Sequence, residues 1–234
     1  MKKFTSVIFI LLVLLFSSST VMAQDTKGIY VGILGGYVIP SDASTDITEV
    51  GSPSIIQYDA SMKNGYLLGA KVGWLTPFTN RIMAVEMEYN YLHSTFDQAK
   101  GFMNAPVSFN IDGKVSMNLF MLNLLARYPN GIFHPYIGAG AGYAMIDVDD
   151  QALTEGGLPF FIIGGGSQGV FAYQLMAGFD VDVTKNIIVS VAYKYIAPQK
   201  VSYDTVIDNS PPGLLTQDVT FKFQAITLGV SYLF

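Results

Sequence analysis

The last seventeen residues of the chain, 218–234, read DVTFKFQAITLGVSYLF. Every second residue, counted back from the end, is large and apolar: Phe234, Tyr232, Val230, Leu228 and Ile226. The residues between them are mostly small or weakly polar, and this period of two is that of a β-strand with one apolar face. Such a strand would be an aggregation hazard at the end of a water-soluble protein. In a membrane it would close a β-barrel, with the terminal Phe at the lipid–water interface.

The composition fits a membrane barrel. The chain has 234 residues, of which 50% are hydrophobic and 13% charged, whereas an average soluble domain has about 25% charged residues. No run after residue 16 approaches the roughly 20 apolar residues that a membrane helix needs, which leaves a large soluble β protein or a membrane barrel. The absence of Cys excludes disulfides and thiolate metal sites. The net charge of −5 argues against nucleic-acid binding.

The first 23 residues have the pattern of a cleavable export signal. Lys2 and Lys3 form a basic start, residues 7–16 are apolar, and residues 21–23 fit a small-x-small cleavage site. The alternative, a single anchoring helix, would need a longer apolar run. The sequence therefore predicts a signal peptide over 1–23 and one barrel domain over 24–234.

The rest of the chain alternates between apolar-rich segments and turns. We predict eight strands, over 28–38, 64–76, 81–96, 114–128, 133–147, 169–183, 187–201 and 218–234. Short turns over 77–80, 129–132 and 184–186 contain Pro, Asn or Gly. They alternate with four long polar connections over 39–63, 97–113, 148–168 and 202–217. This predicts an eight-stranded antiparallel up-and-down transmembrane β-barrel, with the turns and both termini in the periplasm and the long loops outside the cell.

Alternation within the strands places charges on one face. In 81–91, for example, Met83, Val85 and Met87 share one face, while Glu86 and Glu88 share the other. A charge facing lipid at mid-bilayer would cost about 2–4 kcal/mol, so we expect the charged face to line the interior. The predicted interior charges are Lys71, Glu86, Glu88, Arg127, Asp180, Asp182 and Lys194. An eight-stranded barrel is just wide enough to be filled by side chains, and we expect these charges to pair as a plug; a thin ion pathway is the alternative.

Two segments depart from simple alternation. In the fifth strand, Gly138, Gly140 and Gly142 share one face, which would leave room for large neighbours. In the last strand, Phe221 and Phe223 are out of phase with the residues from 226 onward, which predicts a bulge near Gln224 and Ala225 or emergence from the membrane.

The segment PYIGAGAGY over 135–143, together with the terminal strand, resembles the opacity-type and outer-membrane-protein-A-like eight-stranded barrels. This resemblance implies a location in the outer membrane, and we expect a monomer surrounded by outer-membrane lipid. It also implies that the alternating residues of the C-terminal strand are read by the barrel-assembly machinery. Those residues here are Ile226, Leu228, Val230, Tyr232 and Phe234.

The candidates for chemistry are few. His93 and Ser94 lie near the outer end of the third strand, but adjacent strand residues point to opposite faces, which separates them. His134 precedes a proline near a short turn, and we expect it to be an interfacial residue. Two isolated His without Cys predict no transition-metal site, and no cofactor is expected. The apolar segment 158–163 would either pack against the barrel or serve adhesion or capture of a hydrophobic ligand.

Three functions remain open at this point. The first is a structural or adhesive surface protein that displays its loops to an extracellular ligand or host partner. The second is a narrow porin-like channel for small or hydrophobic solutes. The third, less favoured, is an enzyme that modifies outer-membrane lipid A.

Overall fold

The computed structural model describes residues 28–49, 56–102, 105–149, 151–155, 158–163, 166–205 and 215–234. Within them, fourteen strands form a single antiparallel sheet. They are β1 (Ile29–Pro40), β2 (Ala43–Glu49), β3 (Ile56–Leu75), β4 (Met83–Phe102), β5 (Ala105–Asp112), β6 (Lys114–Arg127), β7 (Phe133–Val148), β8 (Gln151–Glu155), β9 (Leu158–Ile163), β10 (Gly166–Asp182), β11 (Ile187–Pro198), β12 (Val201–Thr205), β13 (Leu215–Thr220) and β14 (Phe223–Leu233). The predicted signal peptide, 1–23, lies outside the described residues.

Eight of these strands close into a ring. The order is β3, β1, β14, β11, β10, β7, β6 and β4, and β4 pairs again with β3. The first and last barrel strands pair without a register shift, from Tyr30 opposite Leu233 to Pro40 opposite Phe223. The structure therefore confirms the predicted eight-stranded antiparallel barrel, closed by the terminal strand that first suggested it.

The two faces of the wall differ as the alternation predicts. Apolar side chains such as Ile33, Leu122 and Leu228 are exposed on the outer face, while Glu86 and Lys194 are 2% and 3% exposed. Because those two charges face the interior, the outer wall at mid-height is an apolar band suited to hydrocarbon. Among the described residues, no helix is long and apolar enough to span a membrane.

The short turns lie where they were predicted. The first contains a 3-10 helix, Pro77–Thr79, followed by Asn80 and Arg81 with φ of 53° and 63°. Asn readily adopts this left-handed conformation, and two such residues reverse the chain within a few positions. The second turn uses Gly131, at φ 82°.

The four long connections are not simply loops, and this corrects the sequence prediction. They contain β2, β5, β8, β9, β12 and β13, and they lengthen β3 and β4 to twenty residues each. At this end β12, β13, β2 and β3 are neighbours, as are β4, β5, β8 and β9. Two of these short strands, β2 (ASTDITE) and β9 (LPFFII), show no regular alternation of apolar and polar residues, although β-branched residues remain frequent in β2.

The predicted bulge at Gln224 and Ala225 is wrong. Pairing between β1 and β14 runs through both residues without a shift. The chain instead leaves the sheet at 221–222, between β13 and β14. Phe221 and Phe223 are 1% and 0% exposed, and their stacked rings lie 6.1 Å apart. They occupy the inner face, which is why they are out of phase with the lipid-facing residues.

The interior is apolar at the hairpin end. A cluster of buried side chains fills the barrel there and continues into the first residues of the hairpins. Ala43 of β2, Ala60 of β3, Val201 of β12 and Val219 of β13 belong to it, together with Phe221. The hairpins and the barrel therefore share one hydrophobic core, and the charged residues lie below it toward the short turns.

Candidate functional site

The central feature of the interior is an ion pair that crosses it. Lys194 Nζ lies 2.5 Å from Glu88 Oε1, and both side chains are buried. Lys194 is on β11 and Glu88 on β4, four strands apart in either direction around the ring of eight. Asn90 Nδ2 donates to the same carboxylate oxygen at 2.6 Å. The bond therefore spans the interior between opposite walls.

A second pair lies beside the first. Lys71 Nζ is 2.8 Å from Glu86 Oε2, and both side chains are buried. In the β3–β4 register Lys71 stands opposite Glu88, but Glu88 is bound by Lys194, and Lys71 reaches diagonally to Glu86. The ammonium also lies 5.6 Å from the centroid of the Tyr30 ring, a distance typical of a cation–π contact.

The third group closes the end near the short turns. Arg127 Nε donates to Asp180 Oδ2 at 3.1 Å, and Arg127 Nη2 lies 3.7 Å from Asp182 Oδ1. Asp182 also contacts His134 Nε2 at 3.0 Å, while His134 Nδ1 lies 2.9 Å from the carbonyl oxygen of Tyr128. All seven interior charges named from the sequence therefore lie in ion pairs of this interior, with Asp182 the most exposed of them at the barrel mouth.

The structure corrects the position of His134. It is 2% exposed and belongs to the interior group, not to the lipid interface. The sequence did indicate this inward position. His134 is separated by an even number of residues from Gly138, Gly140 and Gly142, so it lies on the same inward face of β7. Its distance from the other charges along the chain concealed its partner, since Asp182 is 48 residues away.

Neutral polar residues missed as site residues complete the interior. Gln174 Nε2 donates to Asn123 Oδ1 at 2.6 Å, and both side chains are buried. They belong to β10 and β6, with β7 between them. A Cβ on Gly140 would collide with Asn123 Oδ1 and contact Gln174 Cγ. The glycines of β7 therefore give the side chains of its two neighbours the space to meet above it.

Little free space is left among these groups. A cavity of about 10 Å³ lies between the two lysine pairs, and this is close to the space that one water molecule needs. Its lining includes Lys71, Glu86, Glu88, Lys194 and Tyr136. The paired charges therefore leave room for about one water-sized molecule between them.

The catalytic candidates are separated. Ser94 is 1% exposed and donates to the carbonyl oxygen of Lys63 at 2.7 Å, inside the barrel. His93 faces outward, and its Nδ1 lies 3.2 Å from Ser116 Oγ. The carboxylate in register with Ser116 is Asp147 on β7, which stands on the far side of Ser116 from His93. An acid in that position cannot orient the imidazole as a general base requires.

Three polar side chains form hydrogen bonds at the base of the hairpins. Lys200 Nζ lies 2.7 Å from Asp218 Oδ2, and Ser202 Oγ donates to Asp218 Oδ1 at 2.5 Å. These two hydrogen bonds, that from Lys200 first, lower the pKa of Asp218. The bonds tie β12 to β13 at the hairpin base. Within the described ranges, no group of three or more His, Asp or Glu side chains could hold a metal ion.

The five C-terminal residues singled out from the sequence lie together on the outer wall. Ile226, Leu228, Val230, Tyr232 and Phe234 are each about half exposed, along one face of β14 and just beyond it. Phe234 N donates to the carbonyl oxygen of Ile29 at 2.9 Å, and its ring meets that of Tyr232 edge-on at 5.0 Å.

Comparisons with known proteins agree with this architecture. A family model described as "Outer membrane protein beta-barrel domain" matches residues 9–234. The outer membrane protein PagN of Salmonella typhimurium strain LT2 is 28% identical over 217 residues, which cover 86% of each chain.

Two solved structures share the fold. The outer membrane protein OprG from Pseudomonas aeruginosa superimposes with a TM-score of 0.61 at 19% identity, covering 89% of this chain and 97% of that one. The outer membrane protease OmpT from Escherichia coli gives a TM-score of 0.54 at 11% identity, covering 93% and 100%. At these identities the likeness concerns the fold alone.

Proposed function

Because the chain belongs to the outer membrane β-barrel domain family, we propose that it is a non-enzymatic surface scaffold that carries its β-hairpins outside the cell. In this proposal the protein is a monomer, the short turns and both termini lie in the periplasm, and the interior passes no solute. The observation that carries the proposal is the contrast between a filled interior and long hairpins at one end of the barrel.

The closed interior is supported by two layers of different chemistry. The Lys194–Glu88 bond crosses the barrel at 2.5 Å, and charged groups paired in this way are held by hydrogen bonds that are costly to break. Above them, Phe221, Phe223 and their apolar neighbours fill the hairpin end. An ion moving through would have to break the pairs and also lose its water in the apolar layer.

Planar-bilayer recording of the refolded protein tests the closed interior. We expect no steady conductance from wild-type protein, because both layers block the path. A pore of known conductance, added at the end of each recording, shows that the bilayer can report an opening. Steady, large conductance from the pure protein would contradict the scaffold and favour the channel; flux of small apolar solutes into liposomes would do the same.

The orientation is tested by single-cysteine labelling, for which a chain without Cys is well suited. Asp42 lies at the hairpin end and Lys185 at a short turn, and both are exposed. We expect a membrane-impermeant maleimide added to intact cells to label Asp42→Cys but not Lys185→Cys. Labelling should become equal once the outer membrane is permeabilised. The reverse pattern would contradict the proposed orientation.

The adhesive role is placed in the hairpins. Among the described residues, β9 pairs only with β8 and forms one end of the sheet. Its sequence, LPFFII, is apolar, and an apolar strand with one unpaired edge is a common docking element for extended partners. Deleting 158–163 should lower binding of the bacteria to host cells or matrix while the barrel still folds. Unchanged binding would remove β9 from the adhesive role.

An enzymatic role is not proposed, because Ser94 and His93 face opposite sides of the wall and Asp147 lies on the wrong side of Ser116. Mass spectra of lipid A from cells with and without the protein provide the check. We expect the two spectra to be the same. A lipid A species that depends on the protein would contradict the non-enzymatic proposal.

A further inference from the structure

The wall of the barrel is split along one line at its hairpin end. There the strands keep the circular order of the barrel: β3, β2, β13 and β12 are successive neighbours, and so are β4, β5, β8 and β9. In the chain β12 follows β11 and β9 precedes β10, and β10 and β11 are themselves paired below. Yet no pairing of the described residues joins β12 to β9 or to the upper part of β10. We call this gap in the wall the slit.

The slit begins where β11 leaves β10. Pairing between the two strands ends at Ala172, and one further bond crosses from Gln199 N to the carbonyl oxygen of Phe171 at 2.8 Å. Successive residues of a strand direct their backbone groups to opposite sides, so Ser167 and Gly169 direct theirs toward the slit, as Phe171 does. The other side of β10 stays paired with β7 throughout its upper part. Above Phe171, β10 therefore presents a strand edge that no other described strand covers.

The inward face of β10 is open at the slit. Gln168 and Val170 are an even number of residues from Ala172, whose side chain is buried in the barrel, so both lie on the inward face. Gln168 is nevertheless exposed, although Ile146, in register with it on β7, is fully buried. Val170 packs against the apolar cluster but is only partly buried, and Val201 at the foot of β12 belongs to the same cluster. A side chain that enters from the slit would therefore meet the margin of the apolar core.

Each side of the slit has a carboxylate one strand behind it on the outer face. Asp147 on β7 is in register with Ser167 of β10, and Asp218 on β13 is in register with Ser202 of β12. Asp218 is bonded to Lys200. Asp147 is exposed and, in the part of the chain that the structure describes, forms no ion pair. The β10 side of the slit therefore offers a carboxylate to a cationic group.

The charges around the slit are acidic in sum. Asp46 stands opposite Asp218 on β2, and Asp149 follows β7. The nearby bases are Lys114, whose carbonyl oxygen accepts from Asp149 N, and the exposed Lys222 before β14. Thirteen Asp or Glu and five Lys occur in the four connections and their flanking residues, 39–63, 97–114, 147–168 and 199–222. A surface with this excess of one sign attracts partners of the opposite sign.

We propose that the slit binds an extended, basic peptide segment of a partner protein, which pairs with the edge of β10 as an added strand. The backbone groups of Ser167 and Gly169 supply the hydrogen bonds. Every second side chain of the peptide faces the apolar core and is apolar, and the residues between them are Lys or Arg because the outer surface is acidic. The inference names a class of partner for the adhesive role of the hairpins, and it rests on the proposed orientation for access from outside the cell.

Fluorescence anisotropy of labelled peptides tests binding to the detergent-solubilised protein. The probe is a short peptide of alternating Val and Lys. One control peptide alternates Val and Glu, and a second has the same Val and Lys residues in two separate blocks. We expect the alternating Val/Lys peptide to bind and each control to bind about tenfold more weakly or less, because one has the wrong charge and the other the wrong period. Equal binding of the three peptides would overturn the proposal.

Substitutions at Ser167 separate the strand edge from side-chain contacts. Proline there removes an N–H that points into the slit and none that bonds to β7, and such an edge position tolerates proline. Ser167→Pro should weaken binding of the Val/Lys peptide about tenfold, because a strand hydrogen bond is lost and the ring obstructs the added strand. Ser167→Ala keeps the N–H and should bind as wild type does. Equal binding by these two variants would overturn strand addition.

A second pair of variants tests the charge. Asp147→Asn should weaken binding of the Val/Lys peptide about threefold, since an exposed ion pair contributes modestly. Asp97→Asn removes an exposed carboxylate from β4, three strands away from β10 around the ring, and should leave binding unchanged. Equal weakening by both variants would mean that the peptide is held by the general acidity of the hairpins and not at the slit.

Amide hydrogen exchange locates the bound peptide. The amides of Ser167 and Gly169 should exchange rapidly in the free protein and slowly with the Val/Lys peptide bound. Protection already present in the free protein would overturn the proposal: if it is independent of protein concentration, another part of the chain covers the edge, and if it rises with concentration, a second copy does. The shift in gel mobility on heating verifies that each variant is folded. Because binding in detergent does not depend on which end faces outward, failure here leaves the scaffold and its orientation to their own tests.

Discussion

Lys194 lies in the middle of the barrel and is only 3% exposed. Removing an ammonium and a carboxylate from water costs several kcal/mol per ion, and their attraction offsets this only with good geometry and further hydrogen bonds. Here the distance to Glu88 is 2.5 Å, and Asn90 supplies a further bond. The energetic consequence is an asymmetry: losing one partner is far more damaging than losing both.

Substitution at this pair measures that asymmetry. Lys194→Met leaves the Glu88 carboxylate buried without its cation, so we expect the free energy of unfolding in lipid vesicles to fall by about 3–5 kcal/mol. The double variant Lys194→Met/Glu88→Leu should recover most of the loss. Lys63→Met, which breaks the exposed pair with Asp97, should change stability by less than about 1 kcal/mol. Equal losses at the two lysines would mean that Lys194 is solvated.

At the scale of single elements, the side chains of the two neighbouring strands explain why β7 has glycines on its inward face. Asn123 of β6 and Gln174 of β10 bond above Gly140, and Leu125 and Met176 approach each other above Gly138 in the same way. A strand with larger inward side chains would force these neighbours apart. The packing around β7 therefore requires these glycines. That packing offsets the local energetic cost of placing glycine in a strand.

Gly140→Ala tests this requirement. The added methyl group would displace Asn123 and break its buried hydrogen bond to Gln174, so we expect the free energy of unfolding to fall by about 1–3 kcal/mol. Gly35→Ala is the control, because a Cβ there meets only ordinary contacts with Leu67 and Leu68. It should lie within about 0.5 kcal/mol of wild type. Gly140→Ala is also made in a protein that already carries Asn123→Ala. If it lowers the free energy of unfolding equally there, loss of the hydrogen bond is not the cause of the destabilisation.

The last residue belongs to the same scale. Phe234 joins β1 through its backbone and touches Tyr232, but its ring is 56% exposed. Phe234→Ala should therefore change the stability of the refolded protein by less than about 1 kcal/mol. If the assembly machinery reads this ring, the amount of folded barrel in the outer membrane should nevertheless fall several-fold, as measured by the heat-modified gel shift. Normal assembly in cells would remove Phe234 from the signal.

At the scale of the whole molecule, the apolar band defines the membrane. Leu122 lies outward at mid-height and Ile132 at a short turn, and both are well exposed. Leu122→Arg should lower the free energy of unfolding in vesicles by about 2–4 kcal/mol, whereas Ile132→Arg should cost about 1 kcal/mol or less. A cost at Ile132 equal to that at Leu122 would place the hydrocarbon at a different height.

The sequence alone was sufficient for the barrel and insufficient for its hairpins, for a physical reason. Hydrocarbon permits only apolar outward residues, so strands such as 187–195 show a strict period of two. The hairpin strands β2 and β13 do not show this strict period of two. Inside the barrel, parity alone identified Glu86, Glu88 and Lys194 as inward. Their pairing could not be derived, because Lys194 meets Glu88 across the barrel, 106 residues away in the chain.

The hydrophobic core shared by the hairpin bases and the barrel also separates two evolutionary regimes. Ala43, Val201 and Val219 are fixed by packing against Phe221 and its neighbours, so sequence drift there would loosen the whole upper barrel. In the proposed orientation, an engineered epitope inserted into a hairpin that leaves these positions unchanged should therefore be better tolerated than a substitution at them.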